Sequence, residues 1–290
     1  MSRIFFLSAV IILNLNQLSA QTAMISDPLS IRNDYGYELI GRLRDRILLF
    51  RDKFNEFEVQ AYDNQMHLSW SRELDDLDRR GIQIVAVIAG KNDFSVIHKV
   101  HRRGHIYLRI HKYDPGANLI DSMTVKDYGE RVFTPPNLEI IQSEDRNCIM
   151  VYNDAERDKV EVVCFRIDKM QVLWDKVIDL ESADRYEPDP YEMTLSNTGD
   201  FFLISEKNNR RARIENHSFH ILHINATSDD ISEAPLQGYL TLDSKFAIDN
   251  LNRRLTGVGI WGDKTRNRAN GTFFFSKNLD NSGPQTLHYE

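Results

Sequence analysis

The sequence predicts an all-β fold of about five four-stranded units. Three observations predict it. Short stretches rich in β-branched and aromatic residues recur, bounded by Gly, Asn and Asp. One strand of each unit ends at an Asp or Asn: Asp63, Asp114, Asp168, Asn225 and Asp280, spaced by 51, 54, 57 and 55 residues. Long helices are hard to place. Leu43 to Asn55 has partly helical spacing, but alignment with the other units assigns it to strand.

The units are read in chain order. The first, about residues 37–75, has strands Tyr37 to Ile40 and Ile47 to Phe50, then Phe57 to Tyr62 and His67 to Glu73. The second, about 82–126, has Gln83 to Ala89, Phe94 to Val100, His105 to Tyr113 and Leu119 to Val125. The third, about 137–180, has Leu138 to Ile141, Cys148 to Tyr152, Val160 to Ile167 and Gln171 to Ile178. The fourth, about 192–243, has Met193 to Leu195, Phe201 to Ser205 and His217 to Ile224, followed by a longer turn through Asp229 and Asp230. The fifth, about 245–290, has Phe246 to Ile248, Leu255 to Trp261 and Gly271 to Leu279. Asp and Asn side chains bond backbone two residues on, so the repeated position reads first as a turn device. Four strands every fifty-odd residues is the period of a β-propeller blade. A sandwich has no such period, and a solenoid repeats at shorter intervals. The expectation is therefore a β-propeller, or part of one, over residues 37–290. The chain stops at the fifth unit's last strand, so the expectation leans to the front piece of a longer chain over a closed five-unit ring.

The first twenty residues differ from the rest. Arg3 precedes an apolar run, Ile4 to Leu15, and Leu18-Ser19-Ala20 supplies a small residue before Gln21. This is the layout of a secretory signal peptide over residues 1–20, with an uncleaved N-terminal anchor as the other reading. Residues 21–36 read as a lead-in to the first unit. No cysteine follows the apolar run, which excludes a lipoprotein anchor, and no second long apolar run predicts a membrane span in the mature chain. The expected location is periplasmic or extracellular. Charged residues make up 27% with a net charge of −7, and the signs are interspersed, so a nucleic-acid partner is not expected.

Cys148 and Cys164 lie on successive strands. A hairpin symmetric about Glu156 would place them opposite each other for a disulfide, although two small buried hydrophobes is the preferred reading. Histidines gather at His98, His101, His105 and His111 around the Arg102-Arg103-Gly104 turn, and at His217, His220 and His223. Strand alternation sends His220 to the opposite face from His217 and His223, so no metal site is expected. Arg79-Arg80, Arg102-Arg103, Arg210-Arg211 with Arg213, and Arg253-Arg254 could hold an anionic glycan or phosphate, but solvated turn charge is preferred. Tyr186, Asp189 and Tyr191, in the stretch Glu181 to Tyr191, would suit a carbohydrate or peptide contact. With Arg210 and Arg211 they are the ligand-binding candidates. Gly257, Gly259 and Gly262 spell G-x-G-x-x-G without the following helix a dinucleotide needs, so no cofactor is expected. Trp70 and Trp174 occupy nearly equivalent fourth-strand places, which reads as packing between units. The chain contains no G-x-S-x-G, H-E-x-x-H, P-loop or EF-hand pattern.

Phe57 to Asp63, Val160 to Asp168, and Leu255 to Lys264 followed by Asn270-Gly271-Thr272-Phe273-Phe274 resemble blades of exported, uncharacterised bacterial β-propeller proteins. The leader ending Leu-Ser-Ala-Gln-Thr is similar to theirs. The resemblance implies fold and export, and brings no catalytic residue with it. The expected function is a non-enzymatic binding or scaffold protein with a protein or glycan partner. A propeller hydrolase or lyase acting on glycans is the alternative, and a fragment with no separable function the third reading.

Overall fold

The computed structural model describes residues 23–130, 135–156, 159–179, 191–207, 217–262, 268–280 and 284–290. These form five antiparallel sheets of four strands, each built from consecutive strands. Sheet 1 contains β1 (Asp34–Leu43), β2 (Arg46–Lys53), β3 (Phe57–Tyr62) and β4 (Leu68–Glu73). Sheet 2 contains β5 (Ile82–Ala89), β6 (Phe94–Arg102), β7 (His105–Tyr113) and β8 (Leu119–Asp127). Sheet 3 contains β9 (Glu139–Gln142), β10 (Cys148–Glu156), β11 (Lys159–Arg166) and β12 (Gln171–Asp179). Sheet 4 contains β13 (Tyr191–Leu195), β14 (Phe201–Lys207), β15 (Ser218–Ile224) and β16 (Asp229–Pro235). Sheet 5 contains β17 (Leu240–Asp249), β18 (Arg254–Gly262), β19 (Ala269–Asn278) and β20 (Thr286–Tyr289).

Strand alternation gives each middle strand two apolar faces, and successive sheets share them. Leu48, Phe50, Phe57 and Val59 of sheet 1 pack on Phe94, Val96 and Tyr113 of sheet 2. Ile97, Leu108 and Ile110 continue onto Ile149, Val163 and Phe165. Met150, Val162 and Cys164 meet Phe201, Leu203 and Ile224, and Phe202, Phe219 and Ile221 meet Phe246, Phe273 and Phe275. The first strands of neighbouring sheets also touch, β1 with β5, β5 with β9, β9 with β13 and β13 with β17. Face-to-face meander sheets with their first strands together are the blades of a β-propeller. Among the described residues, no contact of that extent returns from β17 to β1.

The turns explain why the period is visible in sequence. Asp63 Oδ1 accepts from the amides of Gln65 and His67, at 2.8 and 3.0 Å. Asp114 Oδ1 does the same for Gly116 and Asn118, and Asn225 for Thr227 and Ser228. Asp168 instead holds Arg166 through two charged hydrogen bonds of 2.8 and 2.7 Å. Cations on outer strands then latch blades together. Arg72 reaches the Gly116 carbonyl and Asn118, Lys126 pairs with Asp175, and Lys176 pairs with Asp229.

Several local expectations change. Asp229 and Asp230 begin β16, so the turn is shorter than expected. The fifth sheet starts at Leu240, because β17 pairs with β18 along its whole length. The lead-in gives way to β1 at Asp34. Cys148 faces Arg166 and Cys164 faces Met150, because the β10–β11 hairpin is centred one residue later than the symmetric hairpin about Glu156. Both cysteines are free and buried. Burial pushes the Cys148 thiol up to about 11, so both stay protonated core residues. Gly257 and Gly259 sit on β18 against aromatic rings. A Cβ at Gly257 would come within 2.5 Å of the Phe246 ring, and one at Gly259 within 2.4 Å of Phe273.

Candidate functional site

Antiparallel order puts the β2–β3 and β6–β7 turns and the β4–β5 connection at one end of the blades. There β6 and β7 run nine residues each, against eight in β2 and six in β3. The second blade therefore overhangs the first. The face it turns toward blade 1 starts apolar, with Phe94, Val96 and Tyr113, and becomes polar where the overhang begins. Register places Val96 beside His111, His98 beside Arg109, and Val100 beside Tyr107. The result is a cavity of about 740 Å³ under the overhang.

The connection from Leu74 to Gly81 forms its other side. Leu74 and Leu77 are buried in the first core. The Leu74 amide donates to the Phe57 carbonyl at 2.8 Å, and the His101 amide donates to the Gly81 carbonyl at 3.0 Å. Arg79 stacks its guanidinium 5.0 Å from the Tyr35 ring centre and 4.8 Å from that of Phe57, and pairs with Asp52 at 3.1 Å. With both ends pinned, Asp76 is held over blade 2.

Asp76 Oδ2 lies 2.8 Å from His111 Nδ1 and also accepts from the Tyr113 hydroxyl. Burial acts to raise the Asp76 carboxyl, but the bonds from His111 and Tyr113 outweigh it and hold it below the ordinary range. Burial, reinforced by the bond to Asp76, pushes the Tyr113 hydroxyl well above its ordinary value. An ionised carboxylate only accepts, so His111 Nδ1 carries the proton and Nε2 is left with a lone pair in the neutral ring. That Nε2 is buried and has no hydrogen-bond partner, as are His98 Nδ1 and Arg109 Nε. His98 stands edge-on to His111, with ring centres 4.8 Å apart. Burial, then the neighbouring His111 and Arg109, drop His98 to about 3, so it is a neutral ring at ordinary pH.

Arg80, Arg102, Arg103 and Arg109 line the cavity against Asp76 and Asp78. Asp78 is engaged by Arg80, whose amide lies 3.0 Å from Oδ1. The site is thus cationic, with unpaired nitrogens at its buried wall. It can accept an anionic oxygen at the arginines and a hydroxyl proton at His111 Nε2.

The structure brings together Arg80, Arg102, His98, His101 and His111, which the sequence presents as separate turn charges. His105 turns away to Asp127 at 3.0 Å. His220 pairs with Glu233 at 2.9 Å and His223 with Asp200 at 3.1 Å. Among the described residues no three His, Cys, Asp or Glu side chains are grouped to hold a metal. Tyr186, Asp189, Arg210 and Arg211 lie outside the described residues, and Tyr191 opens β13 without a described side chain. Asp76, Arg109 and Tyr113 were not singled out by sequence. The available signal was alternation: His98 and His111 continue the stripe of Phe94, Val96 and Tyr113, so they interrupt an inward face.

No protein-family model matches the chain, and no curated protein matches it by sequence. Solved structures do. The uncharacterised protein lmo1340 from Listeria monocytogenes EGD-e is 11% identical with a TM-score of 0.46, over 92% of this chain and 70% of that one. Prolyl oligopeptidase B from Galerina marginata is 8% identical with a TM-score of 0.40, and TolB from Acinetobacter baumannii 11% with 0.33. This chain aligns over 84% and 90% of its own length with them, but covers only 32% of the oligopeptidase and 56% of TolB.

Proposed function

We propose that this chain is an exported binding protein whose cavity, formed by the Leu74–Gly81 connection and blade 2, takes an acidic sugar or a similar hydroxylated anion. The observation that carries the reading is the cluster of buried, unpaired nitrogens, His111 Nε2, His98 Nδ1 and Arg109 Nε, on a wall also lined by Arg80, Arg102 and Arg103. A buried polar atom without a partner costs about 1–3 kcal/mol, which a ligand oxygen recovers. The arginines suit a carboxylate or phosphate, and the lone pair on His111 Nε2 suits a neighbouring hydroxyl.

Calorimetric titration with glucuronate, inorganic phosphate and glucose tests it. Glucuronate or phosphate binds, glucose binds at least tenfold more weakly, and Arg109→Ala weakens the anion at least tenfold. Equal affinities for glucuronate and glucose, or an unaffected Arg109→Ala protein, would refute the reading. A glycan hydrolase or lyase is the second reading, favoured by the Asp76–His111 pair, which orients Nε2 as a general base does. Cleavage of a polyuronate by the same preparation, lost in His111→Ala, would favour it.

Export rests on the leader at residues 1–20, which lies outside the described residues. The protein recovered outside the cytoplasm should begin at Gln21. Retention inside the cell with Met1 intact would overturn that part.

A further inference from the structure

The cavity wall under the blade 2 overhang is graded in depth. Along β6, His98 is buried, Val100 half-buried and Arg102 exposed. Along β7, His111 is buried, while Arg109, Tyr107 and His105 are half-buried. Past His98 and His111 the same face continues as Val96 and Tyr113, both 0% exposed in the first core. The cavity therefore deepens away from the β6–β7 turn.

Three chemically distinct zones follow one another down that slope. At the floor, Arg109 Nε and His111 Nε2 are buried without a hydrogen-bond partner. Midway, register sets Val100 between Ile82 and Tyr107, and all three line the cavity. This ledge is uncharged, and the Tyr107 ring presents an apolar body. At the mouth, Arg102 and Arg103 add two further cations. Asp127 and Glu130, beside that turn, lie against His105 at 3.0 and 3.8 Å and not against the two arginines. Alternation puts residues 98, 100 and 102 on one face, and four residues of strand measure about 13 Å. A single sugar ring with one carboxylate engages the floor or the mouth, not both.

We infer that the ligand is a short chain of acidic sugars, about three linked rings, inserted end-first, an inference that rests on the anion-binding reading above. The carboxylate of the terminal ring meets Arg109, and a hydroxyl of the same ring donates to His111 Nε2. The middle ring lays its apolar face on Val100 and Tyr107. The carboxylate of the outer ring meets Arg102 and Arg103. A cavity of about 740 Å³ is in the upper part of the range for small-ligand sites, which leaves room for more than one ring. An inorganic polyanion would match the two cationic zones but not the uncharged ledge between them. The net charge of −7 opposes a nucleic-acid strand.

Calorimetric titration of the full chain with galacturonate and its α-1,4-linked dimer, trimer and tetramer tests the inference. The trimer binds at least tenfold more tightly than the monomer, and the tetramer gains less than threefold over the trimer. In Arg102→Ala/Arg103→Ala the ratio of trimer to monomer affinity falls below threefold, because the outer carboxylate loses its charged hydrogen bonds. Equal affinities of monomer and trimer, a gain that continues at the tetramer, or a ratio that survives the double substitution would each overturn it. So would tripolyphosphate or trithymidylate bound as tightly as the trimer. Monomer binding without a gain in length would leave the anion-binding reading standing, whereas no binding by the monomer or any oligomer would refute both. The length series on the parent protein needs no variant, so a misfolded substitution does not blunt the test.

Discussion

His98 sets a measurable acid sensitivity. Its ring is 1% exposed, faces His111 edge-on and sits beside Arg109 across the strand pair. Burial and those neighbours hold it at about 3 in the folded protein, against an ordinary value near 6.5. The unfolded chain therefore binds the proton more readily between those two values. The stability from keeping the ring neutral is complete above about pH 6.5 and is lost as pH falls toward 3. From pH 6.5 to 4.5 the loss is about 2 kcal/mol, at 1.36 kcal/mol per unit with a half-titrated start. For a domain of this size that is roughly 4–8 °C in Tm. Thermal melts at the two pH values, on the parent and on His98→Leu, isolate the effect. Only the difference between the two drops matters, so a lower Tm of the variant at both pH values is harmless. A parent drop larger than the variant's by several degrees is expected. Equal drops would refute the argument that this imidazole is kept neutral by its surroundings.

The other predictions concern different parts of the molecule. Gly259→Ala places a Cβ against the Phe273 ring and the Asp243 carbonyl, both within 2.5 Å. Overpacking of that kind should cost about 1–3 kcal/mol in urea unfolding, and an unchanged midpoint would contradict the close approach. Anion binding at the cavity formed by the Leu74–Gly81 connection and blade 2, and the mature N-terminus at Gln21, carry the tests given with them.

Much of the fold was legible because its cause is local. Asp63, Asp114 and Asn225 mark turns through bonds to amides two to four residues on, so the residue type alone carries the signal. The strands followed from alternating β-branched and aromatic residues. The boundary between the fourth and fifth sheets was less legible. β17 begins Leu240-Thr241-Leu242-Asp243, and its register shifts between Thr241 and Asp243, which breaks the two-residue period. The cysteine register depended on a one-residue difference in hairpin centre that residue types do not reveal.

The candidate site was legible only in pieces. Arg80, Arg102, Arg103 and the histidines each look like ordinary turn or strand polarity when read along the chain. Their convergence depends on the unequal lengths of the β2–β3 and β6–β7 hairpins and on Arg79, which pins the Asp76 connection to blade 1 through Asp52, Tyr35 and Phe57. Those are contacts between residues far apart in sequence, and no local pattern predicts them.

The central claim is that Arg109 and the other arginines of this cavity receive an anion. Diffraction from crystals soaked in selenate, read by the anomalous signal of selenium, tests it most directly. The account predicts a peak within hydrogen-bond distance of Arg109 that disappears in Arg109→Ala crystals. A signal found only at exposed arginines elsewhere, or none at this wall, would contradict it.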